Sequence, residues 1–187
     1  PIYPKLDVNS KVCFNSNVAA SVPTRKFIKL KMKEFENHYF IGQVVNELRS
    51  IYLGAPYEYK IEYNFRNVTD KIYQDGRLRF FCNVPKWMEF LNDSDLTFGS
   101  RLHGNIAAVL AGTPALLVTK DSRTRELAEY HHLNAIHESK LNEKLTLQDL
   151  VEQQDFTQIE KYQKQNLDRY VAFLKKNDIP NIFMDGE

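Results

Sequence analysis

Arg101 and His103 stand in the run Gly99-Ser100-Arg101-Leu102-His103-Gly104. An apolar strand-like run precedes it and an apolar helix-like run follows. The two side chains are therefore expected at the first turn of a helix, just past the end of a strand. In an open α/β sheet, ligands bind at that edge. The unpaired amides and the dipole of the helix favour an anion there. Arg101 can grip a carboxylate or phosphate through two parallel hydrogen bonds. His103 can donate a hydrogen bond or carry a proton near neutral pH. Ser100 is expected to cap the helix. Leu102, Ile106, Val109 and Leu110 share one face at helical spacing and are expected to be buried, with Arg101 and His103 at the helix mouth. The same pattern has a plain reading, in which Arg101 pairs with a surface carboxylate and His103 is a capped, satisfied side chain.

A second cluster repeats the theme. After the strand-like Ala115 to Val118 comes Lys120-Asp121-Ser122-Arg123-Thr124-Arg125. Ser122 or Thr124 is expected to cap the next helix. Lys120, Arg123 and Arg125 crowd cations at its start, where they oppose the dipole, and an anion would compensate them. Lys120, Ser122, Arg123 and Arg125 are therefore candidate donor-binding residues from placement, alongside Ser100 and Arg101 of the first turn. The alternative is a solvated cluster balanced by Asp121, Glu126 and Glu129.

The elements that must position these residues alternate. Strands are expected at Lys11 to Asn15, Tyr39 to Ile41, Leu78 to Cys82, Asp95 to Phe98, Ala115 to Val118 and Ala135-Ile136. Helices are expected at Arg25 to Glu36, Val44 to Leu53, Trp87 to Leu91, Leu102 to Ala111 and Thr124 to His132. That alternation implies βαβ units and a parallel sheet. Tyr57 to Val68 alternates loosely and fits either an extended arm or a helix. Two helices, Thr146 to Gln153 and Phe156 to Lys176, are expected after the last strand. The longer one is expected to pack through Phe156, Ile159, Tyr170, Val171 and Leu174.

The whole chain sets bounds. Its 187 residues suffice for one well-buried domain. A net charge of +1 gives no global case for nucleic acid or an anionic membrane. No apolar run is long enough to span a bilayer, and the start carries no signal-peptide pattern. Cys13 and Cys82 match no metal or redox spacing, and two reduced, buried thiols are expected. His131, His132 and His137 lack zinc-site spacing, so surface roles are expected and no metal. The chain opens at Pro1 with a linker-like stretch, so it is expected to have been cut from something longer.

The run from Asp95 to Val118, Asp-Leu-Thr-Phe-Gly-Ser-Arg-Leu-His-Gly-Asn-Ile-Ala-Ala-Val-Leu-Ala-Gly-Thr-Pro-Ala-Leu-Leu-Val, resembles the polysaccharide pyruvyl transferase family. Asp121-Ser-Arg-Thr-Arg-Glu-Leu127 extends the resemblance, which runs from about Leu78 to Leu133. It implies an α/β fold, a Rossmann-like parallel sheet flanked by helices, similar to the C-terminal half of a GT-B-type two-domain enzyme. Residues 1–187 would be that single donor-binding domain, with C-terminal helices over 146–176 and an N-terminal domain missing. The implied activity is transfer of a pyruvyl group from phosphoenolpyruvate to a pair of sugar hydroxyls of a bacterial exopolysaccharide or cell-surface glycan. The implied partners are phosphoenolpyruvate and a glycan or lipid-linked sugar acceptor, with no cofactor, metal, nucleic acid or integral membrane segment. The implied place is the cytoplasm, including the inner face of the membrane as a peripheral protein. The resemblance puts Arg101 and His103 at the donor site. The rivals are a nucleotide-sugar-binding domain of a GT-B glycosyltransferase and a non-catalytic scaffold.

Overall fold

The computed structural model describes residues 3–55 and 68–182. The strands are β1 (Val12–Asn15), β2 (His38–Gly42), β3 (Leu78–Phe80), β4 (Leu96–Gly99), β5 (Ala115–Thr119) and β6 (Ala135–His137). The helices are α1 (Val22–Met32), α2 (Val45–Leu53), α3 (Lys71–Gln74), α4 (Val84–Asn92), α5 (Leu102–Leu110), α6 (Ser122–Tyr130), α7 (Leu147–Glu152) and α8 (Gln158–Lys176). A short 3₁₀ turn, Glu138–Lys140, follows β6. The strands pair in the order β3-β2-β1-β4-β5-β6, every pairing parallel. This is the Rossmann order, in which the chain reverses direction across the sheet between β1 and β4. The stretch 57–68, apart from Val68, lies outside the described residues.

Both faces of the sheet are covered, so its central strands are apolar throughout rather than alternating. On one face Phe14, Phe40, Phe98, Leu116 and Val118 pack with Phe27, Ile28 and Met32 of α1 and with Leu147, Leu150 and Val151 of α7. The rings of Phe14 and Phe98 meet edge to face at 6.2 Å. On the other face Cys13, Ile41 and Ala115 pack with Leu91 of α4 and with Ala107, Ala108 and Ala111 at α5.

The expected face of α5 is corrected. The buried residues are Gly104, Asn105, Ala107 and Ala108, whereas Leu110 is 58% exposed. The helix lies close on the sheet, and only small side chains fit beneath it. Ile106, Val109 and Leu110 instead line a groove of about 250 Å³ with Leu133 and Ile159, against α8. The expected face of α8 is corrected as well. Leu174 is buried, but Tyr170 is 57% exposed.

Helix α1 starts earlier than expected, at Val22, with Pro23 in its first turn, where the missing N–H costs nothing. Ser21 caps it, accepting a hydrogen bond from the Thr24 amide at 3.3 Å. Glu138, arriving from beyond β6, accepts hydrogen bonds from the hydroxyls of Ser21 (2.7 Å) and Thr24 (2.8 Å). Partial burial pushes the Glu138 carboxyl up. The two hydroxyls and the charges of Lys120 and His137 outweigh that and hold it below the ordinary value of 4.5. A carboxyl depressed in the folded state contributes stability that is present above its unfolded pKa and lost as pH falls through the folded one. The Glu138→Gln variant should therefore be less stable than the parent at neutral pH, by a margin that shrinks below pH 4.5. Denaturant midpoints across that range measure it, and a margin independent of pH would refute the assignment.

The expectation of two buried thiols holds for one. β3 ends at Phe80, two residues short of Cys82, which is exposed, whereas Cys13 is buried. Burial pushes the Cys13 thiol up to about 11. A thiol reacts as its thiolate, so alkylation of native protein near neutral pH should label Cys82 and spare Cys13 until the chain is unfolded. Peptide mass spectrometry reads the ratio, and equal labelling of the native protein would contradict this arrangement.

Candidate active site

The carboxyl ends of β1 and β4 meet at the topological switch point. Their last aligned pair is Asn15 and Gly99. A Cβ at Gly99 would stand 2.0 Å from the backbone oxygen of Asn15, so only glycine fits. That carbonyl accepts the Ser100 amide at 3.3 Å. The Asn15 side chain, buried, accepts the Arg101 amide at 2.8 Å through Oδ1. From below, Asn105 Nδ2 donates to the carbonyls of Gly99 (3.2 Å) and Arg101 (2.8 Å). The turn that carries Arg101 is thus held by one amide side chain from each side.

Ser100 is not the helix cap. Arg101 occupies that position with no side-chain hydrogen bond to the first turn. The Ser100 hydroxyl accepts the Asn17 amide at 2.9 Å and ties the β1 crest to the β4 crest. His103, in the first turn of α5, is exposed. The amides of Leu102, His103 and Gly104 have no carbonyl one turn back within the helix. Gly104 admits a close neighbour, since a Cβ there would lie 2.5 Å from Gln43 Nε2.

The Arg101 side chain folds back into the protein and is only 11% exposed. Nε donates to the Ser16 carbonyl at 2.7 Å, and Nη2 donates to Glu47 Oε1 at 3.0 Å. Glu47, on α2, is fully buried. Its Oε2 accepts the amides of Gln43 (2.5 Å) and Val44 (2.9 Å). Burial pushes the Glu47 carboxyl above the ordinary carboxylate range, while the Arg101 charge and the two amides pull against it.

Around the second cluster the residues part company. Lys120 Nζ donates to the Ala19 carbonyl at 3.0 Å, and Lys120 shares a small cavity of about 40 Å³ with Ser100, Asn17, Thr24, Asp121 and Glu138. Asp121, not Ser122 or Thr124, caps α6: its Oδ1 accepts the Thr124 amide at 2.8 Å. Ser122 is the first residue of α6 and Arg123 the second, both exposed. Arg125 lies 3.9 Å from Glu129 and lines a separate groove of about 550 Å³ beside β6, with His132 and His137. Ser100, Arg101, His103 and Lys120 therefore share the β4 and β5 crests, whereas Arg125 faces the sheet edge.

Asn15, Ser16, Gln43 and Glu47 had no signal of their own in the sequence. Asn15 ends an apolar run, and Glu47 reads as an ordinary acid in a helix's first turn. Their roles arise from the strand order, which brings β1 and β2 beside β4. His132 stacks on Tyr162 with ring centroids 3.6 Å apart. No group of three His, Cys, Asp or Glu that could hold a metal ion occurs among the described residues. Among those residues no helix is long and apolar enough to cross a membrane.

A solved structure titled "Crystal Structure Analysis of the Glycotransferase of kitacinnamycin" is 11% identical, with a TM-score of 0.45. The match covers 81% of this chain and 36% of that one, so this chain spans about a third of its length. No curated protein sequence matches the chain. A family model described as polysaccharide pyruvyl transferase matches residues 17–122, from the loop after β1 to the first residue of α6. That span contains the whole Arg101–His103 turn and the residues that hold it except Asn15 and Ser16. On this match the chain belongs to the polysaccharide pyruvyl transferase family.

Proposed function

We propose that this chain is the donor-binding half of an enzyme that transfers a pyruvyl group from phosphoenolpyruvate to two hydroxyls of a glycan, forming a cyclic ketal. The other half of the cleft is a second domain outside residues 1–187, and the reaction runs on the cytoplasmic side. The observation that carries the reading is the family match across the α5 turn, where Arg101 and His103 stand beside unpaired helix amides. Phosphoenolpyruvate is small and carries a phosphate and a carboxylate. A helix mouth with an adjacent guanidinium suits such a ligand. Ser100, Lys120, Ser122 and Arg123 border the same crests, and Arg125 extends the basic surface toward β6.

The chemistry needs one proton delivered and one phosphate released. One sugar hydroxyl adds to C2 of phosphoenolpyruvate while C3 takes a proton and becomes a methyl group. The second hydroxyl then displaces phosphate from C2 and closes the ketal. The two hydroxyl protons end on C3 and on the departing phosphate. His103, exposed at the helix mouth, is the proton carrier in this scheme. Arg101 and the α5 amides hold the anion and stabilise charge as phosphate leaves.

A nucleotide-sugar donor would place a diphosphate on the same cations, with its nucleotide beside the Gly112-Thr113-Pro114 turn, and is distinguished by a preference for the nucleotide sugar over phosphoenolpyruvate.

In the full-length protein, His103→Ala should lower ketal formation by about 100-fold or more while donor affinity stays within a few fold. Phosphate release gives the rate, and calorimetric titration with phosphoenolpyruvate gives the affinity. Near-normal turnover in that variant would remove His103 from the chemistry. Tight binding of a nucleotide sugar in place of phosphoenolpyruvate would overturn the pyruvyl-transfer reading.

A further inference from the structure

The guanidinium of Arg101 offers five N–H donors, and two of its edges can each form a pair of parallel hydrogen bonds. The edge made by Nε and Nη2 is occupied by the protein, by the Ser16 carbonyl and by Glu47 Oε1. What remains for a ligand is Nη1 and the second hydrogen of Nη2. Those form one edge, and its direction is fixed by the two protein acceptors on the other.

Of those acceptors, Glu47 is the one with a charge and with a fixed position of its own. Its side chain is fully buried. Its other oxygen is pinned by the amides of Gln43 and Val44 at the end of β2. The packing leaves little room for it to move, since a Cβ on Gly42 would stand 2.9 Å from Glu47 Cβ. We infer that Glu47 is a positioning residue for the donor site, which holds the Arg101 guanidinium so that its free edge faces the anion at the α5 mouth. This rests on the reading of Arg101 as a donor ligand.

The Glu47 carboxyl accepts from two amides on one oxygen and from Nη2 on the other. A glutamine cannot replace it, because its own NH₂ would face a donor on one side whichever way it turned. An aspartate keeps the charge but is one methylene too short to reach both partners.

The test titrates the full-length protein with phosphoenolpyruvate in the parent, Glu47→Gln, Glu47→Asp, Arg101→Ala and the Glu47→Gln/Arg101→Ala double variant. The expected result is a dissociation constant raised about 10- to 100-fold in both Glu47 variants, with the number of sites per chain unchanged. The double variant should bind no worse than Arg101→Ala alone, since Glu47 acts through Arg101. A purely structural role would lower the number of binding sites at an unchanged dissociation constant, and that outcome overturns the inference. So does either an additive loss in the double variant or parent-like affinity in Glu47→Asp. If Glu47→Gln fails to fold, Glu47→Asp decides alone. If Arg101→Ala binds like the parent, the donor-site reading of Arg101 falls, and this inference with it. A loss in Arg101→Ala with no loss in the Glu47 variants defeats the inference alone.

Discussion

The backbone oxygen of Asn15 lies where a side chain on residue 99 would have to stand. That closeness between the ends of β1 and β4 governs the rest of the switch point. With glycine at 99, the Asn15 carboxamide reaches over the end of its neighbour and takes the Arg101 amide. Fixing that amide places the helix cap at Arg101 and not at Ser100, which is left to bind the β1 loop instead. The α5 axis then runs low over the sheet, where Gly104, Ala107 and Ala108 fit and leucine would not. A longer side chain at 99 would push the crests apart and leave the Asn15 and Asn105 amides, both buried, without the carbonyl and amide they serve.

The electrostatics follow from the same geometry. Burying a guanidinium without a partner is costly, and a single buried carboxylate offsets that cost only when its remaining lone pairs are also satisfied. Glu47 meets that condition through two backbone amides. The pair is close to neutral as a unit. At the α5 mouth the helix dipole favours negative charge, and Arg101 supplies direction. An anion arriving there would meet hydrogen-bond donors already aimed, with little reorganisation needed.

The layered α/β order was legible because strand and helix periods differ and the breaks between them are marked by Gly, Pro and capping residues. β2, β4, β5 and α2 lie within a residue or two of their expected places. What escaped was any feature set by neighbours distant in sequence. Ser100 has the chemistry of a cap, but a carboxamide 85 residues upstream claims the Arg101 amide and shifts the helix start (Asn15 to Ser100). The apolar stripe of α5 is real, yet its Ile106 and Leu110 line the groove beside α8, and Val109 alone of the groove's α5 residues also packs on the sheet-side core. Cys82 follows two phenylalanines, Phe80 and Phe81, but the strand pairing stops at Phe80. The placement of Arg101 and His103 at the start of α5 was readable because strand, turn and helix are local. Glu47 was not, because its partner lies 54 residues away on another crest.

The helices that directly follow strands differ in what meets their first turns. α1 starts with Ser21 on its first turn and the Glu138 carboxylate on both of its hydroxyls. At α2 the amides of Gln43 and Val44 are taken by Glu47. At α4 Asn83 Oδ1 accepts the Lys86 amide at 3.0 Å. At α6 Asp121 accepts the Thr124 amide. In α1, α4 and α6 a side-chain oxygen accepts an amide of the first turn, and at α1, α2 and α6 a carboxylate lies at the helix start, where it repels a second anion. α5 has neither a capping side chain nor an acid in its first turn, and it begins with an arginine. Exposed amides must find partners, and at the α5 mouth, with neither a cap nor an acid in its first turn, an incoming phosphate or carboxylate would replace water without displacing a protein group.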